Sequence, residues 1–323
     1  MASSAAFALA PSLARAQASD GRLRRIGVMM AVKETDAEGQ QRLTALRRAL
    51  EEAGWADKRN IVIDARWYEG NFAKAQEAAR SLVENGTDLV VVNGTPGMDA
   101  MRSVGAQMPI IFVVVSNPVG AGYVSNLARP GANITGFSTF EPEIAGKWLQ
   151  ILRQLNPGLK HVSMLLDPKF KGFNSLWQGV EEIAPQFAIA ATPAFASTLE
   201  EIEREVEKVA AQPNSALIVA PSPVNTVNRL RLIALANRKR LPTIYPFRFY
   251  VRDGALVAYG FNAADQFRRA AAYVDRVLKG EKAGELPVQA PSLFELGINV
   301  KTARDIGVAV PQALLIAADE IVE

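Results

Sequence analysis

The sequence predicts an α/β protein made of two doubly wound parallel-sheet lobes joined by a hinge. Three observations carry that expectation. Short β-branched runs alternate with amphipathic segments from Arg25 onward, the pattern comes in two sets of similar size, and an amphipathic segment with an exposed Lys279-Gly280-Glu281-Lys282 turn follows the second set. The chain therefore returns to the first lobe late and crosses once more before it ends.

In the first set, strands are expected at residues 26–30, 61–66, 89–92, 110–115 and 134–137. Between them lie helices at about 40–53, closed by Gly54, at 72–85, capped by Asn71 and ended near Gly86, and at 98–106. The run 110–115 is apolar throughout, as a strand covered on both faces requires. In the second set, strands are expected at 162–166, 189–194, 217–220 and 243–245, and helices at 143–155, 174–184, 199–211 and 224–240. A last helix is expected at 264–278. The organisation is then a leader over 1–20, a first lobe over 21–138 plus 262–290, and a second over 139–261 plus 291–323, with crossings near Ser138, Gly260 and Ala290.

The leader is read from a short apolar stretch at 5–13 followed by two small-x-small tripeptides, Ala14-Arg15-Ala16 and Ala16-Gln17-Ala18. That pattern predicts export and a mature chain beginning at Gln17 or Ser19. The apolar stretch is too short to span a bilayer, which takes about twenty such residues. No Lys or Arg precedes Arg15, so the usual positive start of a leader is missing. The sequence holds no cysteine, which excludes disulfides, thiolate chemistry and a lipid-modified cysteine, and predicts a protein free in a periplasm. The 36 basic residues exceed the 33 acidic ones by three and are scattered, so no nucleic-acid footprint is expected. A monomer without membrane insertion is expected.

Open α/β sheets hold ligands beyond the carboxyl ends of their strands. The loops there bring Thr95 and Pro96 after the third run, Ser116 and Asn117 after the fourth, and in the second lobe Asp167, Ser222, Tyr245 and Arg248. Hydroxyls, amides and helix N-termini at such places suit a carboxylate or other polar end of a small molecule. Phe173, Tyr245, Phe247, Tyr259 and Phe261 are aromatics near the same edge that either stack on a ring or belong to the core.

Several chemistries lack their signatures. Gly27-Val28-Met29-Met30-Ala31 has no dinucleotide-type glycine turn, and neither a phosphate-binding Gly-x-x-x-x-Gly-Lys motif nor a Gly-x-Ser-x-Gly elbow occurs. The single histidine, His161, opens a strand at the far end of the sheet from the cleft, so a histidine triad or multi-histidine metal site is not expected. No metal or cofactor is predicted. Glu34, Asp36, Glu141 and Asp167 approach the cleft and keep open one alternative, a two-lobed enzyme using carboxylates.

The motifs Gly94-Thr95-Pro96, Asn117-Pro118-Val119-Gly120 and Leu127-Ala128-Arg129-Pro130-Gly131-Ala132-Asn133-Ile134-Thr135-Gly136 resemble those of the ABC transporter substrate-binding family that includes tryptophan- and tyrosine-binding receptors. The likeness continues through Leu241-Pro242-Thr243-Ile244-Tyr245, Tyr259-Gly260, Arg268-Arg269-Ala270-Ala271 and Phe294-Glu295-Leu296-Gly297-Ile298-Asn299, and covers nearly all of the mature chain. It implies a type I periplasmic-binding fold, a permease and an ATPase as partners, and often an aromatic amino acid as ligand. Two positions depart from the pattern: Asn117 stands where relatives commonly have Asp, and Phe249 where they commonly have Glu. Both changes remove a carboxylate that an ammonium would need, which leaves an aromatic or branched amino acid, or an acid lacking the amine, as the expected ligand.

Overall fold

The structure is a computed structural model that describes residues 22–139, 142–169 and 174–323. The leader, Glu141 and Phe173 lie outside these residues. The first sheet contains β1 (Arg24–Met30), β2 (Ile61–Trp67), β3 (Leu89–Asn93), β4 (Ile110–Val115) and β5 (Ile134–Ser138), with α1 (Ala37–Glu52), α2 (Phe72–Glu84) and α3 (Thr95–Ser103) between them. Its order is β2-β1-β3-β4-β5, and every pairing is parallel. β3 is buried at all five positions, as a strand covered on both faces must be.

The second sheet is larger. After α4 (Ile144–Leu155) come β6 (His161–Leu166), α5 (Asn174–Ile183), β7 (Ala190–Phe195), α6 (Leu199–Ala210), β8 (Ser215–Val219), α7 (Pro223–Val227), α8 (Arg229–Arg238) and β9 (Thr243–Tyr245). They are followed by α9 (Phe249–Arg252), β10 (Val257–Phe261), α10 (Ala263–Leu278), β11 (Phe294–Asn299), α11 (Val300–Ile306), α12 (Gln312–Ala317) and β12 (Glu320–Val322). The order is β12-β11-β10-β9-β8-β6-β7. Only β10 with β11 runs antiparallel.

Local chemistry places these elements. Asp36 caps α1 by accepting from the Gly39 N–H, and Asn71 caps α2 by accepting from the Lys74 N–H. Past their ends, Gly54 and Gly86 adopt positive φ. α3 begins at Thr95, three residues before the expected start, because Gly94 turns the chain at φ 86° and Pro96 is preset for the first helical turn. Residues 224–240, expected as one helix, form two. Asn228 breaks them, its side-chain amide donating to the Val224 carbonyl at 2.9 Å. β10, β11 and β12 were not expected, and β10 with β11 breaks the all-parallel pattern.

α10 follows β10 in sequence yet packs along α1. Its Phe267, Ala270, Ala271, Tyr273 and Val274 share one core with Ile26, Val28 and Leu46. Where the chain passes between the sheets, segments run side by side: the Ser138 N–H donates to the Gln289 carbonyl at 2.9 Å, the Gln289 N–H to the Gly136 carbonyl at 2.9 Å, and Gln266 Nε2 to the Ser138 carbonyl at 2.8 Å.

β4 carries a bulge at Val114, where pairing with β5 shifts register. Val114 has φ 61°, the left-handed region that a β-branched residue strongly disfavours. The bulge turns its side chain to pack against the cores of both lobes.

Candidate ligand-binding site

The carboxyl ends of β1, β3 and β4 in one lobe face α7 and the β9–α9 connection of the other across a small cavity. Ala31, Val32, Arg42, Asn93, Thr95 and Val114 line it from the first lobe; Pro221, Ser222, Pro223, Thr226 and Phe247 line it from the second.

Of the residues expected to hold a ligand, Thr95 and Ser222 line this cavity. Thr95 is 3% exposed, and its Oγ1 accepts from the Ser116 N–H at 3.4 Å. Ser222 is 3% exposed and caps α7, its Oγ accepting from the Asn225 N–H at 3.2 Å. Each hydroxyl accepts from a backbone N–H, and its own O–H has no acceptor among the described residues, so it can donate to a bound group.

The other expected residues are placed differently. Pro96 is buried in the first turn of α3 beside Thr95. The Ser116 hydroxyl pairs with that of Thr139 at 2.8 Å, inside the segment that leaves the first sheet. Asn117 turns back on its own loop, its Oδ1 accepting from the Gly120 N–H at 2.9 Å. Asp167 holds the turn after β6, accepting from the Ser197 hydroxyl at 2.6 Å and the Lys169 N–H at 3.2 Å. Tyr245 is a core residue, stacked on Tyr250 at 5.0 Å. Tyr259 stacks on Phe294 at 5.9 Å, with the Lys147 ammonium over its ring.

Arg248, expected to face a carboxylate of the ligand, faces carboxylates of the protein instead. Its Nε lies 3.3 Å from Glu295 and 3.1 Å from Glu320, in a neighbouring recess that also contains Glu38 and Arg252. Of the candidate acids, Asp36 is engaged elsewhere, accepting from the Gly39 N–H and pairing with Arg229, while Glu34 is exposed. Neither these two nor Asp167 lines the cavity. Phe247 does, and Phe261 meets it edge-on at 5.4 Å.

Arg42 is the residue that the sequence did not single out. It projects from α1 and is 4% exposed, and among the described residues neither its Nε nor its Nη2 has a hydrogen-bond partner. Its guanidinium lies 5.6 Å from the Phe247 ring and 5.7 Å from the Phe249 ring, both on the opposite lobe. Burial pushes this guanidinium below its ordinary pKa, and the fields of Glu38 and Asp36 partly offset the shift. A second arginine joins the lobes directly: Arg229 Nη1 meets Asp36 Oδ2 at 2.5 Å and its Nε meets Asp253 at 2.6 Å. Burial alone would lower the Arg229 pKa, but hydrogen bonds to Asp253 and Asp36 outweigh it and the net shift is upward.

Two similar lobes that gather hydroxyls and a cation where they meet define a two-lobed small-molecule-binding protein. The chain belongs to the ABC transporter substrate-binding protein family, which it matches over residues 25–322. It is similar to a tyrosine-binding protein of Clostridioides difficile, with 24% identity over 287 residues, 87% of this chain and 80% of that relative. Among solved structures it resembles a conserved domain protein of Vibrio cholerae, at 25% identity and a TM-score of 0.87, over 93% of this chain and 100% of that one. It also resembles the ABC domain from Streptococcus pneumoniae in complex with L-Trp, at 23% identity and a TM-score of 0.86, again over 93% and 100%. The architecture is the type I periplasmic-binding fold that the sequence predicts. The family is one of substrate-binding proteins rather than enzymes. Among the described residues, no helix is long and apolar enough to cross a membrane.

Proposed function

We propose that this chain is the solute-capturing receptor of an ABC importer: it works outside the cytoplasmic membrane, closes its two lobes on a small organic solute and presents the closed form to a permease and its ATPase. The observation that carries this reading is the cavity itself, whose polar groups, Arg42, Thr95 and Ser222, come from both lobes. A ligand favours a closed form only through contacts that the open form lacks, and a site divided between lobes supplies them. The crossings beside Ser138, Phe261 and Gln289 are where the chain would bend. The tyrosine-binding relative and the L-Trp complex favour an aromatic amino acid as the solute, with a branched amino acid or an aromatic or other organic acid as the alternatives.

Small-angle scattering with and without a saturating solute, drawn from a thermal-shift screen of amino acids and aromatic acids, tests the reading. A smaller radius of gyration on saturation, with no product formed from the solute, is the expected result. An unchanged radius, or turnover, would overturn it. Export is tested separately, by sequencing the N-terminus of protein recovered from the periplasm, which should begin at Gln17 or Ser19; recovery from the cytosol alone with residues 1–16 intact would count against it.

A further inference from the structure

We infer that the solute is an organic anion, a carboxylic acid bearing no ammonium group, and that Arg42 is the residue that selects it. The inference deepens the receptor reading and rests on it. An arginine carries five N–H donors in the plane of its guanidinium, and an aromatic ring attracts the cation without supplying an oxygen or nitrogen acceptor. Beside the Phe247 and Phe249 rings, Nε and Nη2 find no acceptor among the described residues. At 4% exposure, those donors have little access to water. A carboxylate matches two parallel guanidinium N–H groups, and the Thr95 and Ser222 hydroxyls, both free to donate, line the same cavity.

The same lining offers an ammonium no charged partner: among the described residues, it contains no Asp or Glu. The Asn93 amide is held by backbone, its oxygen accepting from the Ala31 N–H and its nitrogen donating to the Val113 carbonyl, both at 3.4 Å, and it carries no charge to offer. The nearest acids are committed or displaced: Asp36 is paired with Arg229, and Glu38 lies in the adjoining recess with Arg248 and Arg252. A buried ammonium needs a charged partner or several acceptors, so this cavity rejects a zwitterionic amino acid and accepts its deaminated counterpart.

Titration calorimetry on matched pairs tests this: L-tyrosine against 3-(4-hydroxyphenyl)propionate, L-tryptophan against indole-3-propionate, and L-leucine against 4-methylpentanoate. In at least one pair the acid should bind tenfold or more tightly than the amino acid. Arg42→Met should then lower the affinity for that acid at least tenfold while leaving the melting temperature of the unliganded protein unchanged or higher, since it removes a buried, unsatisfied cation. Arg42→Lys, which keeps a charge but loses the fork, should recover only part of the affinity. Glu38→Gln should leave the preference for the acid intact. An amino acid bound as tightly as its acid in every pair, an Arg42→Met protein that binds the acid like the parent, or no binding by any of the six compounds would each overturn the inference. Amino-acid binding with a reduced radius of gyration would remove this inference and keep the receptor; acid binding that depends on Arg42 without any change in radius would do the reverse.

Discussion

Arg229 Nη1, on the second lobe, lies 2.5 Å from Asp36 Oδ2, on the first, with both side chains largely buried at 13% and 10% exposure. If the lobes part as the proposed function requires, this pair breaks, so it would favour the closed arrangement whether or not a solute is present. Asp36→Asn keeps the cap on α1 but removes the charge, and Arg229→Met removes the donor. Each should weaken solute binding, and a double-mutant cycle on the dissociation constant should give a coupling of about 0.5–3 kcal/mol. A coupling near zero would make the contact incidental to closure.

The hydroxyls of Thr95 and Ser222 should act through the ligand, but not through the ligand alone. Replacing either with Ala is expected to weaken binding of an anionic solute by about 1.5–3 kcal/mol, the range for hydrogen bonds to charged groups. Ser222→Ala also removes the cap of α7 and should lower unfolding stability by about 1 kcal/mol. Calorimetry and urea unfolding separate the two effects. Affinities equal to the parent in both variants would move the site elsewhere.

Gly70 adopts φ 68°, and a Cβ placed there would stand 3.3 Å from the Pro223 backbone of the other lobe. Gly70→Ala should cost roughly 1–2 kcal/mol of stability from the left-handed conformation. If the lobes close on the solute as proposed, it should also raise the dissociation constant, because the added methyl group would press on Pro223 in the closed arrangement. A variant that loses stability but keeps its affinity would place Gly70 outside the closing surface.

Glu38 gives a pH dependence with a definite sign. Burial raises its carboxyl above the ordinary 4.5, and the nearby Arg42 only partly offsets this. With a folded-state pKa above the unfolded one, the native protein holds more protons through that window, so stability falls as pH rises from about 4.5 through the raised value. Glu38→Gln should flatten that decline. Urea midpoints measured across this range for both proteins test it, and parallel curves would contradict the assignment.

The strands β1 to β9 were legible because most are short runs rich in apolar residues bounded by turn residues, and α1 and α2 because Gly54, Asn71 and Gly86 mark their ends. The Val-Ala-Tyr-Gly-Phe run of β10 is short and interrupted by glycine, and β12 has three residues, so neither produces a clear period of two. Of the candidate cavity, the sequence pointed to two polar lining residues. Thr95 and Ser222 sit at strand ends, where position alone points to a cleft. Arg42 carried one faint signal: three residues after Gly39 and four before Leu46, it falls on the face of α1 that the fold buries. What makes it unusual is Phe247, 205 positions away in sequence, and periodicity contains nothing about that meeting. The reverse happened with Arg248, whose carboxylate partners Glu295 and Glu320 arrive from strands that the sequence did not reveal.

Because α10 completes the core around β1 and α1, the order of synthesis and the order of folding are at odds. Phe267, Ala270, Ala271, Val274 and Leu286 cover Ile26, Val28, Leu43 and Leu46, so the part of the molecule made first cannot shut out water until the chain has been made past residue 286. Until then its apolar strands have no lid, and the contacts that finally cover them span more than two hundred residues, a topology that folds slowly. Placing the last helix of the first lobe behind nearly all of the second keeps the polypeptide pliable for most of its synthesis.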